Sequence, residues 1–269
     1  MEASSFGMNR TVIKMAPRRT RDTSQSANEY TPQIPVDTTS LDAARLAFLQ
    51  ESETLGSIPP PASLKGMAKA GLDKLKGGAP GVLMDKLGER LAFERGGTRL
   101  YDALLVKYQA VQQMEPDILP PVRELASKLP AQADMLVTAA NDTPLEILAR
   151  IRNDELHHVH ILSAFMEKMG GDPAAVTPCA DVIGTASMGL VQVVTEPRTT
   201  LAQAFTAILS AELTDNAGWE LLIELAEQAQ ESEAVQQFGE ALAREREHAA
   251  IIKAWLSHVL SHGAGTVAV

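Results

Sequence analysis

The 269-residue sequence contains a single cysteine, Cys179. One thiol cannot close an internal disulfide, and it cannot build the four-cysteine module of a rubredoxin or a zinc ribbon. Any metal held by this chain is therefore expected to be held by oxygen and nitrogen. Long apolar runs are also missing, since no segment approaches the ~20 residues of a membrane span. Met1 to Arg21 mixes Glu2 and serines with basic residues and lacks the apolar core of a secretory signal, so the expected location is the cytoplasm. A hydrophobic content of 45% is that of an ordinary globular chain, long enough to bury one sizeable core.

Charge is unevenly spread. Residues 1–80 sum to +2 and residues 81–269 to −12, which together give the overall −10. Acidic helix faces that keep the protein in solution account for much of that excess, and a bundle rich in carboxylates also favours cations.

Three segments are expected: an N-terminal extension over 1–80, a helical bundle over 81–262 and a flexible tail over 263–269. From Met1 to about Pro35, Ser, Thr, Asn, Pro and Arg predominate without period, the composition of a disordered arm. Arg10, Lys14, Arg18, Arg19 and Arg21 in that arm are either simply solvated or available to nucleic acid, an acidic surface or an organelle import system. Ser40 is a cap candidate for a short helix through Leu49 that ends before Gly56. Leu64, Met67, Leu72 and Leu75 alternate with lysines in a basic amphipathic helix, suited to docking on its own domain, on a membrane or on a partner.

From Val82 the periodicity becomes long and helical. Leu87, Leu91, Glu94, Thr98, Tyr101, Leu105 and Tyr108 form one stripe of a helix ending near Met114. After the cap signal Thr143-Pro144, a second stripe carries Ile147, Ile151, Glu155, His158, Leu162 and Phe165 and ends at Gly170-Gly171. A third helix, about 199–229, places Phe205, Ile208, Glu212, Asp215, Trp219 and Leu222 together. A fourth, about 232–261, does the same with Phe238, Leu242, Glu245, His248, Ile252 and Trp255. Residues 115–142, with Pro120, Pro121 and Pro130, make a crossover longer than a simple turn, with room for a short helix. Residues 171–198 are the long connection between two hairpins. Periodicity does not assign the apolar Val182–Val194 part of it, which is positioned to lid the bundle.

Two Glu-x-x-His motifs stand out, Glu155 to His158 and Glu245 to His248. Residues three apart on a helix project from nearly the same face, so each pair offers a carboxylate and an imidazole to one point. With six histidines and 21 glutamates, chance alone supplies about half a match, so the spacing is weak until placed on helices. Placed there, every one of the four stripes carries a buried glutamate. Unpaired buried charge costs several kcal/mol, so four glutamates in one core call for something positive among them, either metal ions or a buried network of other groups.

The order Glu94, Glu155-x-x-His158, Glu212, Glu245-x-x-His248 resembles the ferritin-like di-iron carboxylate superfamily over about residues 82–261. The resemblance implies an all-α, antiparallel four-helix bundle with a long crossover. It implies two iron ions held by Glu94, Glu155, His158, Glu212, Glu245 and His248, with Glu155 and Glu245 bridging. Manganese or a mixed Mn/Fe pair suits the same donors, and zinc would also bind them. Asp154 and Asp215 are candidates to accept a hydrogen bond from a ligand imidazole. Tyr101 and Trp219 each lie seven residues after a ligand glutamate, where they relay electrons, shape a pocket or fill the core. His157, His160, His258 and His262 are expected at the surface.

Three functions follow from these readings. The first is an oxidoreductase whose di-iron centre reacts with dioxygen or hydrogen peroxide, as an oxidase, ferroxidase, peroxidase or hydroxylase, with room for a separate electron donor. The second is iron storage or sequestration in an oligomeric assembly. The third is a binding module that engages nucleic acid, a membrane or an enclosing shell through residues 1–80. A homo-oligomer is expected, and the sequence leaves the substrate open.

Overall fold

The computed structural model describes residues 17–30, 37, 39–52, 55–59, 67, 80–129 and 142–262. The chain divides into two compact units, Met1–Thr54 and Leu55–Val269. The expected basic helix over 64–76 lies outside the described residues except for Met67, which is exposed, and the 263–269 tail lies outside them altogether.

In the first unit, helix α1 (Pro17–Tyr30) occupies part of the stretch expected to be a disordered arm. Pro17 pre-sets the first helical turn, and residues 18–30 contain neither Gly nor a second Pro to interrupt the ladder. A helix can therefore close there even though its sequence offers no apolar stripe. Helix α2 (Thr39–Glu51) is the expected short helix, but Ser40 lies in its first turn and does not cap it; Asp37 Oδ1 accepts from Thr39 N instead, and the helix has no buried residue.

The second unit is built on four long helices, α3 (Pro80–Met114), α4 (Pro144–Lys168), α6 (Leu201–Gln228) and α7 (Ser232–His262), with α5 (Pro178–Thr195) between α4 and α6. Local chemistry sets their starts. Thr143 caps α4, with Glu146 reaching back to complete a capping box, and Thr200 and Gln203 do the same for α6. Thr177 caps α5, and Pro178 opens its first turn. The stop after α4 is Gly170 at φ 86°, a left-handed position that a residue with a Cβ enters only with strain.

Cross-helix contacts give the directions. Arg152 of α4 pairs with Asp102 of α3, whereas the later His158 approaches the earlier Glu94, so α3 and α4 are antiparallel. By the same reading α3 runs against α6 (Arg90 with Asp215, Tyr101 with Glu212), and α4 runs against α7 (Lys168 with Glu233, Asp154 with His248). Helix α5 travels alongside α3. At its start Thr177 Oγ1 donates to Asp85 O, and Cys179 N donates to Asp85 Oδ1. At its end Lys107 Nζ donates to the carbonyls of Glu196 and Thr199. The connection left unassigned by periodicity is thus a helix that carries the chain back along the bundle. Its start carries a local signal, the Thr177-Pro178 cap, but its apolar middle has no clear stripe because its partners lie far away in sequence.

Between α3 and α4, Val122–Lys128 forms a 3₁₀ helix, the short helix that the crossover has room for. Trp255 of α7 is fully buried and donates its Nε1 proton to Pro120 O at 3.0 Å, tying this crossover to the bundle. The apolar core falls into two layers. One contains Leu104, Tyr108, Ile147, Ile151, Phe205, Ile208 and Trp255, and the other Leu87, Leu91, Leu162, Phe165, Leu222 and Phe238. A belt of buried charged residues lies between them.

Candidate metal centre

The belt gathers all six predicted ligands. Glu94, Glu155, His158, Glu212, Glu245 and His248 are each at most 3% exposed, and they come from all four long helices at the level between the two apolar layers. Their atoms form overlapping groups in which every member lies within 4.8 Å of the others: Glu94, His158 and Glu245; Glu155, Glu212, Glu245 and His248; and Glu94, Glu155, Asp215 and Glu245. Glu245 belongs to all three. Such groups of buried carboxylate and imidazole atoms can hold a metal ion.

The atoms that face the centre have few partners. Both oxygens of Glu94 and of Glu245, Glu212 Oε2, Asp215 Oδ1, and the Nδ1 atoms of His158 and His248 are buried without a hydrogen bond. His158 Nδ1 comes within 2.7 Å of Glu245 Oε1 and 3.5 Å of Glu94 Oε2, but neither approach is aligned as a hydrogen bond. His248 Nδ1 lies 3.4 Å from Glu245 Oε2 and 3.7 Å from Glu155 Oε1. Orphaned polar atoms are rare in native interiors, and here they converge on one point from four helices.

Protonation follows from this crowding. Burial and the adjacent Glu245 carboxylate push Glu155 up to about 8, and the same two causes raise Glu212 well above the usual carboxylate range. Burial alone would lower His158, but Glu245 and Glu94 beside it raise it to about 10. His248 is raised in the same way by Glu245, Asp154 and Glu155 against the effect of burial. Glu245 also resists burial, and the imidazoles of His248 and His158 hold it well below the ordinary value. Without an added cation the cluster therefore keeps protons in the positions where a metal would sit.

The surrounding residues are sorted by the fold. Asp154 Oδ2 lies 3.3 Å from His248 Nε2, so it can accept the proton of that ring and leave Nδ1 facing the centre. Asp215, the other candidate for this role, instead faces Arg90, whose Nη1 lies 2.8 Å from Asp215 Oδ1 and 3.1 Å from its carbonyl oxygen. Tyr101 is buried and donates its hydroxyl proton to Glu212. Trp219 packs edge-on against the His158 ring, with centroids 5.4 Å apart. His157 and His160 are exposed and take no part.

Arg90 was not marked by the spacing of the motifs. It is 3% exposed, its Nε is 3.6 Å from Glu94 Oε1, and its guanidinium lies 4.3 Å above the Phe93 ring. Its position four residues before Glu94 on the same helical face is the signal that could have found it. Two glycines make the close approaches possible. A Cβ at Gly97 would collide with the Glu155 carboxylate, and one at Gly218 would collide with the Arg90 guanidinium.

Among the described residues, no helix is long and apolar enough to cross a membrane. Comparison with protein families, curated proteins and solved structures finds no match for this chain.

Proposed function

We propose that the chain is a ferritin-like carboxylate protein that holds two iron ions and reacts them with dioxygen or hydrogen peroxide. The observation that carries this reading is the convergence of buried, unbonded carboxylate and imidazole atoms on one centre. Charge supports the number of ions. Around the centre, five buried carboxylates (Glu94, Glu155, Glu212, Asp215 and Glu245) against the one guanidinium of Arg90 leave −4 when all are ionised, the charge that two divalent cations neutralise. The succession of hairpin, long connection along the bundle and second hairpin also supports a ferritin-like arrangement.

In this reading Glu94, Glu155, His158, Glu212, Glu245 and His248 would hold the two ions, Glu245 being the residue common to every group of converging atoms. A pair of ferrous ions supplies two electrons to dioxygen or peroxide, and manganese fits the same donors. The protein's residues do the rest. Asp154 fixes the His248 tautomer, Tyr101 holds one oxygen of Glu212, and the apolar layers on either side keep bulk water out. Electrons for further cycles come from a separate donor, because the lone Cys179 cannot form a rubredoxin-type module. A reducing compartment such as the cytoplasm suits that free thiol.

Anaerobic titration with ferrous iron is expected to saturate at about two ions per chain, and subsequent dioxygen to produce a ferric absorption change. Glu155→Ala and His248→Ala should lose both. Binding of no metal by the wild type, or an unchanged spectrum in these variants, rejects the proposal.

A further inference from the structure

Two adjoining cavities lie between the centre and the flank of α5. The inner one is lined by Tyr101, Glu155, Glu212 and Asp215. The outer one is lined by Gly96 together with Ser187, Leu190 and Val191 of α5. Both share Phe93, Gly97, Leu100 and Ala211 as walls, so they meet at that level. Each has room for only about one or two water-sized molecules. Ser187, Leu190 and Val191 are half-buried, so the outer cavity lies one side chain beneath the surface of α5.

The lining of this path is selective. Among the outer-cavity residues the only polar side chain is Ser187, and its hydroxyl already donates to Ile183 O at 2.8 Å. No carboxylate among the described residues lines the outer cavity, so nothing in that lining replaces the hydration shell of an arriving iron ion. A small neutral molecule loses little on entering such a passage.

We infer that this passage, walled by Leu190 and Val191 of α5, is the route by which the oxidant reaches the centre, and that it admits dioxygen or hydrogen peroxide while excluding organic molecules of several carbon atoms. The inference rests on the di-iron reading and narrows it from hydroxylation of an organic substrate to oxidation by a small oxidant. Electrons and atoms balance simply. Dioxygen takes two electrons from the ferrous pair and two protons from solvent to give hydrogen peroxide. Hydrogen peroxide takes two electrons and two protons, breaks its O–O bond and gives two waters. tert-Butyl hydroperoxide by the same step gives tert-butanol and water.

Gly96 offers the cleanest block, because a Cβ there meets no heavy atom within 4 Å and it is not among the ligands. Gly96→Leu should bind iron with wild-type stoichiometry, while its oxidation by dioxygen slows by about tenfold or more. In the wild type, tert-butyl hydroperoxide should oxidise the loaded protein at least about tenfold more slowly than hydrogen peroxide, and Leu190→Ala should narrow that gap. Xenon, followed by NMR, should occupy the outer cavity of the wild type and lose that site in Gly96→Leu whether or not iron is present. Wild-type oxidation rates in a fully loaded Gly96→Leu protein, or equal rates with the two peroxides in the wild type, would overturn the route. Failure of the wild type to bind iron would instead sink the di-iron reading itself.

Discussion

Arg90 touches Asp215 and approaches Glu94, yet it is not a residue type that ligates metal. Its consequence is electrostatic. Removing one partner of a buried charged network strands the others in low dielectric, at a cost of about 3–5 kcal/mol. Arg90→Met should therefore lower the unfolding free energy in denaturant titrations by about that amount, and Arg90→Lys should recover only part of it because ammonium lacks the planar fork. A loss below about 1 kcal/mol in Arg90→Met would contradict this view. The histidine and glutamate protons are a second matter at this scale. In the metal-free centre His158 keeps its proton up to about pH 10 and Glu155 up to about 8. A metal must displace those protons, so the loaded form binds fewer of them and affinity rises with pH across this range. Iron or manganese added near pH 7 in weak buffer should acidify an indicator dye. A titration that releases no protons would count against these assignments.

Helices supply the precision that single residues cannot. Helix α3 approaches α4 closely at Gly97, where the Glu155 carboxylate occupies the space of a missing side chain. Alanine is a better helix former than glycine by about 1 kcal/mol, so propensity alone favours Gly97→Ala. The obstructing atoms are the far end of a flexible side chain, which can swing aside at modest cost to the fold. After chelator treatment Gly97→Ala should melt like the chelator-treated wild type, and on loading it should lose metal occupancy, because Glu155 has been turned out of the centre. Gly239→Ala in α7, where a Cβ meets nothing within 4 Å, is the control and should gain stability with metal binding intact. Calorimetry alongside metal analysis separates the two effects, and full occupancy in Gly97→Ala would show that the close approach is unimportant.

For the whole molecule, the charged belt divides the core into two apolar layers, and folding must bury it in every copy of the chain. A cation that binds only the folded state stabilises it by mass action, by about 2.7 kcal/mol at a free concentration one hundred times the dissociation constant. The chelator-treated protein should consequently melt at a lower temperature than the iron- or manganese-loaded protein. Identical melting curves would mean that the belt is content without metal.

Much of this architecture was legible in the sequence because it depends on local period. A helix repeats every 3.6 residues, so the spacing of Glu94, Glu155, His158, Glu212, Glu245 and His248 among Leu, Ile, Phe and Trp places them on buried stripes. The caps at Thr143-Pro144 and the stop at Gly170 were readable for the same reason. Other features answer to contacts between distant parts of the chain. Asp215 and Asp154 were equal candidates to partner an imidazole until helix packing set one against Arg90 and the other against His248. The placement of α5 and of the cavities beneath it depends on α3 and α6 lying beside it, and α1 forms where polarity suggests no structure. Spacing along one helix selects which residues share a face. Which faces meet, and which buried charges then neutralise one another, is decided by the packing of the helices together.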